Sequence, residues 1–293
     1  MFAQNTKPHY EHLKDKWTAR HKSLQEKLWF RHGNALNWLI DNTKRFALSS
    51  LAGLFLLGAQ SLPNIITASI PTANAQSPQA IDKSVFLVSD LSHILPLEVL
   101  PLTSYQEQKV SEILSRNFRF KVTAELDGKK LNRNYGIIGQ EQHLALYPGD
   151  TMSSHFDNNN DATKYWSYGM APGLGAWGYF SPSQNQLTQK DKLREKYYIA
   201  VQTFLIPDFN QRFTEYRDFF KYRKMLVVNP QNGKAIAAVV GDAGPAQWTG
   251  KHLGGSPEVM NYLEREDGSR RGPVLYFFID DPQDKVALGP IAL

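Results

Sequence analysis

Asp242 stands in a Gly-Asp-Ala-Gly-Pro bend, directly after the apolar run Ala235 to Val240 and before the Ser256-Pro257 start of a helix. A carboxyl in such a bend either caps backbone amides or moves a proton. The segment 165–180, YWSYGMAPGLGAWGYF, sets aromatics between glycines. Trp166, Tyr168, Trp177 and Tyr179 carry flat apolar faces suited to sugar rings; packing into a core is the competing reading, expected for about half of them. No Lys-Ser/Thr follows these glycines, which excludes a phosphate-binding P-loop. The polar stretch 150–161, DTMSSHFDNNND, brings His155, Asp150, Asp157 and Asp161 together in sequence. Its spacing lacks the glycine and terminal glutamate of a calcium loop, so it is expected to be a solvated loop, with no metal and no cofactor.

These residues need elements to hold them. Met225–Val228 and Ala235–Val240 predict two strands joined around Asn232-Gly233, a strong hairpin signal. The run 196–205 predicts another strand, 208–223 a short helix or long loop, and Val274–Ile279 and Val286–Ile291 the last two strands. Ser256 with Pro257 predicts an N-cap and first helical turn. Upstream, Ser104 and Glu107 predict a capping box for a helix with Val110, Ile113, Leu114 and Phe118 on its apolar face. A period of two then runs through Phe118–Glu125 to an Asp127-Gly128 turn, and Val85–Val88 predicts a strand.

The charge is uneven. Nine of the 33 Lys/Arg and four of the 28 Asp/Glu fall in residues 1–45, so that arm holds the whole net charge of +5. The neutral remainder gives no basis for nucleic-acid binding. Residues 10–40 have amphipathic helical spacing. The apolar run Phe46–Ala59 follows Lys44 and Arg45, and its length suits a signal segment. Ala73-Asn74-Ala75 offers a cleavage motif; an uncleaved anchor through residues 46–70 is the alternative, and both predict export. With no cysteine in the chain, disulfides and thiolate chemistry are excluded.

The order Asp242-Ala243-Gly244-Pro245, Trp248-Thr249-Gly250, Gly255-Ser256-Pro257 with Glu258 and Met260 resembles the double-psi β-barrel of rare lipoprotein A, a barrel shared with expansins and murein transglycosylase A. The likeness covers 165–293. It implies that segment 168–180 is the first barrel strand, that Gly272-Pro273-Val274 opens the closing strand, and that Asp242 is the aspartate implicated in glycan cleavage. One carboxyl suffices if the sugar's own 6-hydroxyl attacks while the acid protonates the leaving oxygen. Val239, Val240 and Trp248 would supply apolar surroundings to raise its pKa. The Thr-Ala-Ser/Asn-Gly-Glu and Ala-Ala-His segments of lytic members are absent, so a second carboxyl must come from Glu215, Asp218 or Glu258. His252 is a candidate polar partner, with a solvent-facing ring as the competing reading.

The resulting expectation is a mainly β chain: a basic cytoplasmic arm (1–45), a signal or anchor segment (46–75), a linker (76–102), a small α+β element (103–150) and a six-stranded double-psi β-barrel (165–293). It would be exported and act on peptidoglycan glycan strands with Asp242 as general acid/base. Trp248, Trp177, Tyr179, Tyr168, His252 and Glu258 would bind substrate. The alternative is a non-catalytic, expansin-like barrel that holds wall polysaccharide.

Overall fold

The computed structural model describes residues 83–265 and 271–293. The arm 1–45, the segment 46–75 with its motif at Ala75, the start of the linker and the Asp267-Gly268 turn lie outside them. Among the described residues no helix is long and apolar enough to cross a membrane.

Helix α1 (Lys83–Ser92) stands where Val85–Val88 predicts a strand. Leu87 and Leu91, one helical turn apart, are fully buried, while Val85 and Phe86 are exposed. Burial at a helical period overrides the β propensity of the run. Helix α2 (Ser104–Phe118) buries Val110, Leu114 and Phe118, the predicted face. Its capping box lies one residue earlier than expected, between Thr103 and Gln106, and Glu107 pairs with Lys130 instead. Arg119 closes the helix in the left-handed conformation. The predicted alternation therefore shrinks to β1 (Val122–Thr123). β2 (Glu125–Leu126) and β3 (Lys129–Lys130) form the hairpin expected at Asp127-Gly128, whose two turn residues both have positive φ.

The remaining elements are β4 (Tyr135–Gln140), α3 (Met152–His155), α4 (Asn159–Tyr165), α5 (Gln189–Lys196), β5 (Tyr198–Val201), α6 (Phe213–Phe220), β6 (Lys224–Val228), β7 (Ala235–Ala243), β8 (Leu253–Gly255), α7 (Pro257–Tyr262), β9 (Arg271–Ile279) and β10 (Gly289–Ile291). Six strands close a ring in the order β9–β4–β8–β5–β7–β6 and back to β9. The pairs β4/β8 and β5/β7 are parallel and the other four antiparallel. Closure gives each ring strand a neighbour on both sides, which removes the exposed edges of an open sheet. β1 and β10 extend the seams along β9 and β7.

Alternation then sorts the side chains. Ile138, Ile199, Val201, Met225, Val227, Ile236, Ala238, Val240, Leu253, Val274, Tyr276 and Phe278 fill the interior, closed off by Phe219 and Phe220 of α6 and Val259 and Met260 of α7. Leu226, Val228, Ala235, Ala237, Leu275, Phe277 and Ile279 face the other way and pack under α1 and α2. Each fully buried Val, Leu, Ile, Phe or Met contributes about 1.5–3 kcal/mol. This second layer accounts for β6 and β7 being apolar on both faces. Ser256 caps α7 as predicted, accepting from the Val259 amide.

Two boundaries differ from the sequence expectation. The barrel takes β4 from the stretch assigned to a separate small α+β element (103–150), so it begins at Tyr135, not near 165. Segment 168–180 forms no strand. It belongs to a long excursion, residues 141–197, that leaves the ring after β4 and returns at β5. The strand predicted over 196–205 is confined to Tyr198–Val201, and a short 3₁₀ turn follows.

Candidate functional site

Asp242 owes its direction to a bulge. Val240 points into the core and Gly241 outward against Tyr198, so strict alternation would turn Asp242 inward. The β5/β7 register shifts between Ile199 and Ala200, which sets Asp242 opposite Ala200. An extra residue of this kind re-aims a side chain. On the far side of β5, Ala200 pairs with Gly254. Asp242, Ala200 and Gly254 thus form one outward row, about 10 Å long at the backbone from two strand spacings.

The Glu141 side chain lies over Gly254, in the space a Cβ there would fill. A glycine at 254 is what lets this carboxyl reach the row. Lys251 Nζ holds Glu141 Oε1 at 2.6 Å and the Gln140 carbonyl at 2.9 Å. Asp242 Oδ1 accepts the Ala176 amide at 2.6 Å and its own neighbour's, Ala243, at 2.8 Å. The loop 173–178 therefore folds over Asp242, with Gly175 against its carboxyl. Burial raises the Asp242 pKa from its usual 3.8, and the two amides offset only part of that. Burial also raises Glu141; Lys251 opposes the rise and the charge of Asp242 adds to it. Two half-buried carboxyls, each biased toward its protonated form and each within the other's field, share the row.

The other predicted residues scatter. Trp248, after the bend, is 89% exposed. Tyr168 and Tyr179 are half-buried. Trp177 is 7% exposed and packs within the barrel core cluster, so its ring serves packing and is not open to a sugar. His252 is half-buried and not paired with Asp242: its Nδ1 accepts the Ile137 amide at 3.0 Å, and burial lowers its pKa. Glu215 pairs with Arg212 and Lys129, and Asp218 with Arg217. The second carboxyl at Asp242 is Glu141, which sequence reasoning missed.

Glu258 belongs to a different cluster. Asp150 and His155, expected in a solvated loop, are 9% and 8% exposed. His155 Nδ1 lies 2.8 Å from Asp150 Oδ2, and Nε2 3.1 Å from Glu195 Oε2. Asp150 is fixed by the Leu146 amide and the Ser154 hydroxyl, and Glu195 Oε1 accepts the Leu144 amide. His143 is fully buried; its Nδ1 stands 3.4 Å from Glu195 Oε1, a long contact, and its Nε2 has no hydrogen-bond partner. Burial opposes charge on His155, but Asp150 and Glu195 raise its pKa to about 10. Burial likewise pushes Glu195 up, and the facing imidazoles more than reverse it. Glu258 is raised to about 8 by burial and by the charge of Glu195. His155, Glu195 and Glu258 line a cavity of about 220 Å³.

No family model matches the chain, and no curated protein or solved structure matches it.

Proposed function

We propose that the ring is a double-psi β-barrel acting on polysaccharide along the Asp242–Ala200–Gly254 row, with peptidoglycan glycan as substrate and the chain exported to reach it. The observation that supports this reading is the pairing of Asp242 with Glu141 on one outward row. Burial favours the protonated form of Asp242, as a general acid for the leaving oxygen requires. Lys251 opposes the neutralisation of Glu141 by burial, and the carboxylate form it favours would face the developing oxocarbenium charge. The sugar's own 6-hydroxyl would then attack the anomeric carbon and give its proton to the Asp242 carboxylate left by the first transfer, releasing an anhydro product with no water needed. Trp248 offers an open indole face for a neighbouring sugar.

The test is digestion of purified sacculi with the full chain, read by mass spectrometry of released fragments. Anhydro-muropeptides that disappear in both Asp242→Asn and Glu141→Gln support the enzyme. Exposure of Trp248 six residues after a covered acid also favours a second reading, polysaccharide binding without cleavage. Retention on sacculi with no release, weakened by Trp248→Ala, would select it. Neither release nor retention would end both.

A further inference from the structure

We infer that His143, His155 and Glu195 form a binding site for one divalent transition metal, with Zn²⁺ the best match to two imidazoles and a carboxylate. This site is separate from the Asp242 row and does not depend on its proposed role.

The geometry carries the inference. One ligand atom from each of the three residues lies within 4.8 Å of the others, and all three residues are buried. Metal–ligand bonds of 2.0–2.2 Å in a tetrahedron set neighbouring ligand atoms roughly 3.3–3.6 Å apart. Glu195 faces His155 Nε2 with Oε2 at 3.1 Å and His143 Nδ1 with Oε1 at 3.4 Å, so both imidazoles converge on one carboxylate at distances near such an edge. The His155–Asp150 pair has the arrangement of a metal-bound histidine: the far ring nitrogen donates to a carboxylate, which fixes the tautomer and aims the near nitrogen. Asp150 is itself pinned by Leu146 and Ser154, so the orientation is built in advance.

In that tautomer the Nε2 lone pair of His155 faces a Glu195 oxygen. Two acceptors at this distance need a cation between them, either a proton or a metal. A proton satisfies His155 alone. It leaves the fully buried His143 with a long contact to Glu195 at Nδ1 and no partner at Nε2, and two carboxylates balanced by one positive charge. Burying polar groups without partners is costly. A divalent ion uses His143, His155 and Glu195 together and neutralises Glu195 and Asp150. The cavity lined by His155, Glu195 and Glu258 gives room for a water as fourth ligand. Imidazole donors disfavour Mg²⁺ and Ca²⁺, and the absence of thiolate restricts the site to nitrogen and oxygen ligands.

The site would close the excursion on itself. His143 and His155 belong to residues 141–197 near their start, and Glu195 to α5 near their end. His143 follows Glu141 by two positions, so the metal would also anchor the strand end that carries the second carboxyl.

The test uses the untagged full-length chain, stripped with chelator and dialysed against Zn²⁺ or Co²⁺ alone. Expected are one equivalent of Zn²⁺ retained through gel filtration, a raised Tm, and visible absorption of the Co²⁺ form typical of four-coordinate nitrogen/oxygen sites. His143→Ala and Glu195→Gln should abolish retention, and Asp150→Asn should weaken affinity about 10–100-fold. Circular dichroism checks that each variant is folded; if one is not, the Co²⁺ spectrum of the unaltered chain decides. A folded chain that holds no metal, or folded variants that hold it as well as the unaltered chain does, would overturn the inference.

Discussion

The Asp242–Glu141 row and the His143–His155–Glu195 cluster both place carboxyls where water is scarce, and they resolve the problem in opposite directions. At the row, the neighbours are mostly backbone amides, small residues and one lysine. Burial wins, and both acids are biased toward their neutral forms. In the cluster, imidazoles meet carboxylates at close range. Charge wins, Glu195 stays ionised and His155 charged. An acid that can give up a proton needs the first setting; the second keeps Glu195 ionised for a cation, which must displace the His155 proton as it binds. The excursion 141–197 contributes to both, with Ala176 and Glu141 at one and Asp150, His155 and Glu195 at the other.

This contrast can be broken by substitution. Asp242→Asn is expected to have the largest effect, reducing glycan release by about 10²–10⁴-fold with no loss of Tm, since it removes a carboxyl whose charge is disfavoured there. A drop in Tm equal to that of cluster variants would erase the distinction. Glu195→Ala should do the reverse, destabilising the metal-free chain by about 3 kcal/mol in urea unfolding, because it removes one of the two carboxylates that hold the buried His155 imidazolium and leaves only Asp150. Tyr198 lies between the regions, with its hydroxyl donating to the Gln142 carbonyl. Tyr198→Phe should cost about 1 kcal/mol and lower both glycan release and metal retention if the regions are mechanically joined.

The pH dependence sharpens the row's side of the comparison. The folded pKa of Asp242 lies above its ordinary 3.8. Its contribution to stability is therefore present below pH 3.8 and lost as pH rises through the folded value. Tm of the unaltered chain relative to Asp242→Asn should fall across that interval, and glycan release should fall on the same alkaline side. A difference that is flat with pH would remove the proposed acid. Trp248→Ala is expected to be the mildest change, within about 0.5 kcal/mol in stability, with weakened retention on sacculi.

Legibility followed sequence distance. The hairpin β6–β7 and the capped start of α7 were readable because their signals are local. β4 was obscured by Gly136 and Gly139, which weaken strand propensity. Both are needed, because a Cβ at either position would meet the side chain of His252 or Lys251. Val85 and Phe86 made α1 look like a strand, although Leu87 and Leu91 already carried the helical spacing. Asp242 was readable from its bend, but its partner was not. Glu141 meets the row only through the registers of β4, β5 and β8, and nothing near residue 242 points to residue 141. His143 was overlooked for the same reason: its partner Glu195 arrives from the far end of the excursion. The pair Asp150 and His155 was visible in sequence, and polar neighbours disguised its burial.

The ring closure carries one more consequence. Gln140 and Ile199, at the two ends of the excursion, both pair with Gly255 on β8, so the chain departs and returns about 10 Å apart, two strand spacings. A short linker would bridge that gap. The barrel is in this sense a socket, and residues 141–197 an interchangeable cartridge: exchanging that stretch among barrels of this topology would redesign ligand preference, with a replacement ring needed only where Trp177 plugs into the interior.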